Sequence, residues 1–179
     1  MMSKNINYDH AEHLHRFACW TAAAAVRRAF VGNEVIARVI EDINLKQELF
    51  ELKKAEPSAE KFDEKHKEYS NRLVTRLKEL LNSQAEKDKV TYGRAAKIIA
   101  VYIKTCYVIP DPECALSRVA HPPIDRILLT NLSKCEKINF DKFPAWTKLS
   151  PKEYVELIKS LRRIEPDHFW KLERYWQSH

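Results

Sequence analysis

Residues 91–108, "TYGRAAKIIAVYIKTCYV", are the most apolar run in the chain. Thr91 is placed to accept a hydrogen bond from a free amide of a first helical turn, and Pro110 and Pro112 stop any helix that begins there. The segment between them predicts one helix at the middle of the core. Arg94, Lys97 and Lys104 fall on it at spacings of three and seven, a thin cationic strip on an apolar rod. Lysine and arginine are costly to bury unpaired. The strip therefore marks either the surface edge of the helix or the wall of a cleft for phosphate or carboxylate, and Tyr92, Tyr102 and Tyr107 read as packing residues.

Working outward, the same periodicity recurs on both sides. Asp9 with Glu12 makes a capping box for a helix running to about Phe30. Gly32 and Asn33 break it, and "NEVIARVIEDI" starts a shorter amphipathic piece. A further helix follows from Asn44 through "LKQELFELKKA", ended by Pro57 and Ser58. From 59 to 82, Phe62, Tyr69, Leu73, Leu77 and Leu80 mark the narrow seam of one long helix, whose alternating charges pair at i and i+4 as a solvated face. Downstream, "HPPIDRILLTNL" puts proline in a first helical turn, with Ile124, Ile127, Leu128 and Leu132 as its buried face. An irregular stretch with Phe140, Phe143 and Trp146 leads to "SPKE" at 150–153, a capping box opening a helix to about Arg163. Pro166 restarts the chain into "DHFWKLERYW", with Phe169, Leu172 and Trp176 as a stripe. These segments predict an all-α fold, a single irregular helical bundle of about seven to nine helices, as one domain over residues 1–179.

Composition supports that fold and narrows the function. With only 2 glycines and 8 prolines, the latter between periodic segments, long regular elements joined by stiff turns are expected. The net charge of +6 points to a nucleic acid, another anionic ligand or an acidic partner. Cys19, Cys106, Cys114 and Cys135 contain no C-x-x-C pair, so neither a zinc cage nor a disulfide framework is expected, and a reducing, cytoplasmic setting fits. "MMSKNINYDH" has no apolar signal core, and no run reaches membrane-spanning length, so no membrane association is expected.

The residues 10–30, "HAEHLHRFACWTAAAAVRRAF", carry two faces. Leu14, Ala18, Thr21 and Ala25 form a small-residue sector for close helix packing. His13, Arg16, Trp20 and Arg27 form a second stripe, which reads either as a groove wall, two guanidiniums holding an anion beside a stacking indole, or as a second packing face. His10 and His13 are one turn apart, yet two ligands do not make a metal site, and no metal or cofactor is expected. A third group is His121, Asp125 and Arg126, where a helix start offers free amides to an anion. A histidine and an acid so close also suggest a base and its orienter, although no nucleophile stands beside them.

"HRFACWTAAAAV" at 15–26, "YGRAAKIIAVYIKT" at 92–105 and "HPPIDRILL" at 121–129 resemble blocks of small bacterial proteins to which no function is assigned. The resemblance implies one compact helical domain in which the three blocks come together. It transfers no activity. Three expectations follow for function. The first is a nucleic-acid-associated or phosphate-recognising domain using Arg16, Arg27, Arg94 and Lys97 with Trp20. The second is a protein-interaction module, with a protein partner or as a homodimer, anchored by Trp170, Tyr175 and Trp176. The third is an enzyme using His13 or His121 with Asp125.

Overall fold

A computed structural model describes residues 7–26 and 31–177, and these are helical, with turns between and no strand. In chain order the elements are α1 (His10–Ala24), α2 (Asn33–Asp42), α3 (Leu45–Lys54), α4 (Ala59–Leu80), α5 (Gln84–Lys87) and α6 (Tyr92–Ile103). A π-helical turn, Lys104–Val108, extends α6. Then come α7 (Ala115–Val119), α8 (Arg126–Glu136), a 3-10 turn at Trp146–Lys148, α9 (Pro151–Arg162) and a 3-10 run at Phe169–Tyr175. No helix among the described residues is long and apolar enough to cross a membrane.

The central position of α6 follows from its composition. Thr91 caps it by accepting from the Arg94 amide, and ten of its residues are buried. It packs between α1 and α4. One apolar cluster joins α1 to α4 with one side of α6, and a second joins Tyr92 and Ala96 of α6 to α8, α9 and the C-terminal run. Trp146 packs against both clusters. It comes this close because residue 93 is glycine: a Cβ there would stand 1.9 Å from the Trp146 carbonyl oxygen.

Several local expectations are corrected. The described part of α1 ends at Ala24, while Arg27 and Phe30 lie outside the described residues. Its buried face is His15, Ala18, Cys19, Ala22 and Ala23, one position round from the expected sector, because His15 Nδ1 meets the Tyr102 hydroxyl at 2.7 Å. Leu14, Thr21 and Ala25 are only half-buried, and Thr21 donates to the Ala18 carbonyl.

The prolines of "HPPIDRILL" do not enter a helix. Pro123 disfavours helical geometry at Pro122, residues 121–125 run as a buried non-helical segment, and Asp125 caps α8 by accepting from Leu128 N. Asp125 is therefore the cap itself, not a residue of the first turn. At the C-terminus the expected α-helix is a 3-10 run, whose threefold period places Phe169 and Leu172 on one fully buried edge. Trp176 leaves that edge and is 43% exposed.

Candidate anion-binding groove

The flank of α8 carries Arg126, Leu129, Thr130, Ser133 and Lys134 at the spacing of one helical face. Phe140, Asp141, Phe143, Pro144, Ala145 and Trp146 stand opposite, and the two walls enclose a groove of about 610 Å³. Three aromatic side chains and two hydroxyls thus face a space open to solvent. Lys142 lies over the Phe143 ring, 4.9 Å from its centroid.

Trp146 is held from inside. The Lys97 ammonium stands 4.7 Å from its ring centroid and donates to Asp125 Oδ2 at 3.0 Å. Asp125 Oδ1 accepts from Leu128 N at 2.9 Å, and Oδ2 also accepts from the Trp176 indole at 2.9 Å. Burial pushes the Asp125 carboxyl up, but the Leu128 amide, the Lys97 ammonium and the Trp176 indole outweigh it and hold the group ionised below the usual aspartate range. The pair is buried on both sides. Lys97 is neither at the surface edge nor open to a ligand, and its charge is spent on Asp125.

The stretch of chain that builds both walls is cationic. Between 126 and 152, the exposed cations Arg126, Lys134, Lys137, Lys142, Lys148 and Lys152 make no ion pair among the described residues, and the stretch holds only Glu136 and Asp141 as acids before the capping box. On α4 four of the six cations are paired, and Lys67 and Lys78 make no ion pair among the described residues. Lys61, Lys65, Arg72 and Arg76 each meet a carboxylate, the solvated pairing expected for that helix.

The other candidates are dispersed. His13 is exposed and contacts the Tyr8 hydroxyl at 3.2 Å. Arg16 is exposed beside Glu12, and Trp20 is 53% exposed and stacked on Phe17. Arg94 is half-buried and donates to the Lys89 carbonyl. Of the sequence candidates, Arg126 lines the groove, and Lys97 with Asp125 is buried behind its Trp146 wall. The described residues of the α1 stripe do neither.

His121 belongs to a different cluster. Its Nε2 meets Asp63 Oδ1 at 2.8 Å and its Nδ1 the Tyr154 hydroxyl at 3.3 Å, so its acid is Asp63, not Asp125. Arg162 donates to the same Asp63 oxygen at 2.5 Å. Burial raises the Asp63 carboxyl, yet His121 and Arg162 reverse the shift and keep it low. The His66 ring lies 4.2 Å from that of His121, centroid to centroid, and is stacked flat on Tyr154. Neither nitrogen of His66 has a hydrogen-bond partner among the described residues; burial and the neighbouring His121 hold the ring neutral against a weaker opposing pull from the Ala96 backbone. Asp63, His66, Tyr92, His121 and Tyr154 line a cavity of about 10 Å³, the room of a single water. No trio of His, Cys, Asp or Glu among the described residues is arranged to hold a metal ion.

Sequence reading missed Lys134, Phe140, Phe143 and Trp146 as groove residues. Their signal is a stretch, 126–152, that holds six cations against the two acids Glu136 and Asp141, next to aromatics in an irregular segment. No known family model matches this chain, and no curated protein or solved structure is significantly similar to it.

Proposed function

We propose that the protein binds single-stranded nucleic acid in the groove between α8 and the 140–146 segment. The observation that carries this reading is an aromatic-walled groove lined by two exposed cations, Arg126 and Lys134, that make no ion pair among the described residues. Cations that have no acid nearby hold only small counterions, whose release on meeting phosphates favours binding. Phe140, Phe143 and Trp146 offer faces on which unpaired bases stack, which a duplex keeps covered. Arg126 and Lys134 would meet phosphates, and Thr130 and Ser133 would hydrogen-bond sugars or phosphates.

The interaction-module reading has less support, because Trp170 donates its indole N–H to the Pro112 carbonyl and Trp176 donates to Asp125. Fluorescence anisotropy with a dye-labelled oligonucleotide of about ten nucleotides, titrated across salt concentrations, tests the proposal. Expected is binding to the single strand over the matched duplex, with affinity falling as salt rises. Absence of binding at low ionic strength, or a preference for duplex, removes it.

A further inference from the structure

A second pocket, of about 350 Å³, lies away from the groove, between the π turn after α6, the 121–123 segment and the C-terminal 3-10 run. That volume is within the range of small-molecule sites, and a π turn is a frequent companion of functional positions. Val108, Pro112, Pro122, Pro123 and Trp170 give it apolar walls. Its polar liners are Lys104, His121 and Glu173. Both ring nitrogens of His121 are committed to Asp63 and Tyr154. The groups left to meet a ligand are the Lys104 ammonium and the Glu173 carboxyl, hydrogen-bonded to each other.

We propose that this pocket binds a small apolar carboxylic acid, with the ligand carboxylate on Lys104 and its ring or hydrocarbon body against Trp170 and the prolines. The site is separate from the nucleic-acid groove and does not depend on it. A charged ligand entering here must take one partner of the ion pair and leave the other without its counter-charge. A displaced glutamate escapes by taking a proton. Glu173 is poised to do so: burial raises its carboxyl above the usual glutamate range, and the nearby Asp125 adds to this, although Lys104 and Lys97 pull it down. The balance is simple. One ligand carboxylate and one proton enter, the ligand pairs with Lys104, Glu173 becomes the neutral acid, and the charge of the pocket is unchanged.

Benzoate, benzylamine and benzyl alcohol are size-matched probes that separate an anionic, a cationic and a neutral occupant. Titration calorimetry with each, in two buffers of different protonation enthalpy, should show saturable binding of benzoate with uptake of close to one proton. Its affinity should fall by up to about tenfold per pH unit above the Glu173 titration. Glu173→Gln should tighten benzoate binding and remove its pH dependence, while Lys104→Met should weaken it at least about tenfold. Amide shifts of the native protein around Trp170 locate the site without any variant. Benzylamine or benzyl alcohol binding as well as benzoate, benzoate binding without proton uptake, or no benzoate shifts near Trp170 would each overturn the assignment.

Discussion

Lys97 Nζ lies 3.0 Å from Asp125 Oδ2, and both side chains are buried where α6 meets the start of α8. Asp125 is at once the cap of α8, the partner of a buried ammonium and the acceptor of the Trp176 indole. Asp125→Ala orphans that ammonium and should cost about 3–5 kcal/mol. Asp125→Asn keeps a capping oxygen and should cost about 1 kcal/mol less. Urea unfolding of both variants checks the order, and equal losses would mean that the cap contributes nothing. Because the Asp125 carboxyl is held low in the folded state, its stabilisation is complete above the ordinary aspartate value and is lost as pH falls below it.

Gly93→Ala is expected to destabilise, against the usual rule. In an exposed helix the change gains about 1 kcal/mol. Here the new Cβ would stand 1.9 Å from a backbone oxygen of Trp146, which cannot rotate away as a side chain does. Overpacking of this kind costs about 1–3 kcal/mol. The midpoint of urea unfolding should fall, and since the 146 segment must move, oligonucleotide affinity should fall with it. A variant more stable than the parent would contradict the close approach of α6 to this segment.

How much of this was legible in the sequence depends on the range of the signal. Thr91, Ser150 with Glu153, and Ser58 cap their helices as their positions predict, because a cap is decided within four residues. Part of the charge pairing on α4 is local for the same reason, Lys61 with Glu64 and Lys65 with Glu68, whereas Arg72 and Arg76 also reach Glu48 and Asp42 of other elements. His66 falls four after Phe62 and three before Tyr69, so its place in the seam was readable from spacing alone. Its neighbours were not, since Asp63 and His121 are 58 residues apart and nothing local links them. The burial of His15 was not readable, because the polar atom that admits it to the core, the Tyr102 hydroxyl, comes 87 residues later. The groove lies between these cases. Its α8 wall follows helical periodicity, but the 140–146 wall is irregular and is positioned by Gly93, a residue with no side chain to announce a contact.

Stability should drop as pH falls below the ordinary histidine value. His66 and His121 are both held neutral, His66 by burial and by the proximity of His121, and His121 by burial against the opposing pull of Asp63. The charged or titratable groups around them are Asp63, Arg162, Tyr92 and Tyr154, and burial pushes the Tyr92 hydroxyl up to about 12, so neither tyrosine titrates in this range. A lowered histidine pKa means that the unfolded chain takes the proton first. Stability is therefore full above about pH 6.5 and falls below it, by up to about 1.4 kcal/mol per pH unit for each histidine. His15 adds in the same direction. Urea midpoints measured between neutral and mildly acidic pH should show this slope, and His66→Phe should reduce it. An unchanged slope in that variant would exclude His66 as a contributor.

Two surfaces are candidates for the proposed nucleic-acid contact, and substitutions separate them. In the groove, Arg126 and Lys134 have no ion-pair partner, whereas on α1 Arg16 already faces Glu12 at 3.8 Å. Each lysine or arginine that meets a phosphate of a single strand contributes about −0.7 to the slope of log affinity against log salt. Arg126→Ala and Lys134→Ala should each flatten the slope by about that amount. Phe143→Leu, which removes a stacking face and leaves the charges alone, should weaken binding by about 1–3 kcal/mol with the slope unchanged. Arg16→Ala and Trp20→Ala should alter neither quantity, because their helix lines no part of the groove. The reverse pattern, with α1 substitutions flattening the slope and groove substitutions silent, would move the binding surface to the exposed Phe17 and Trp20 stack.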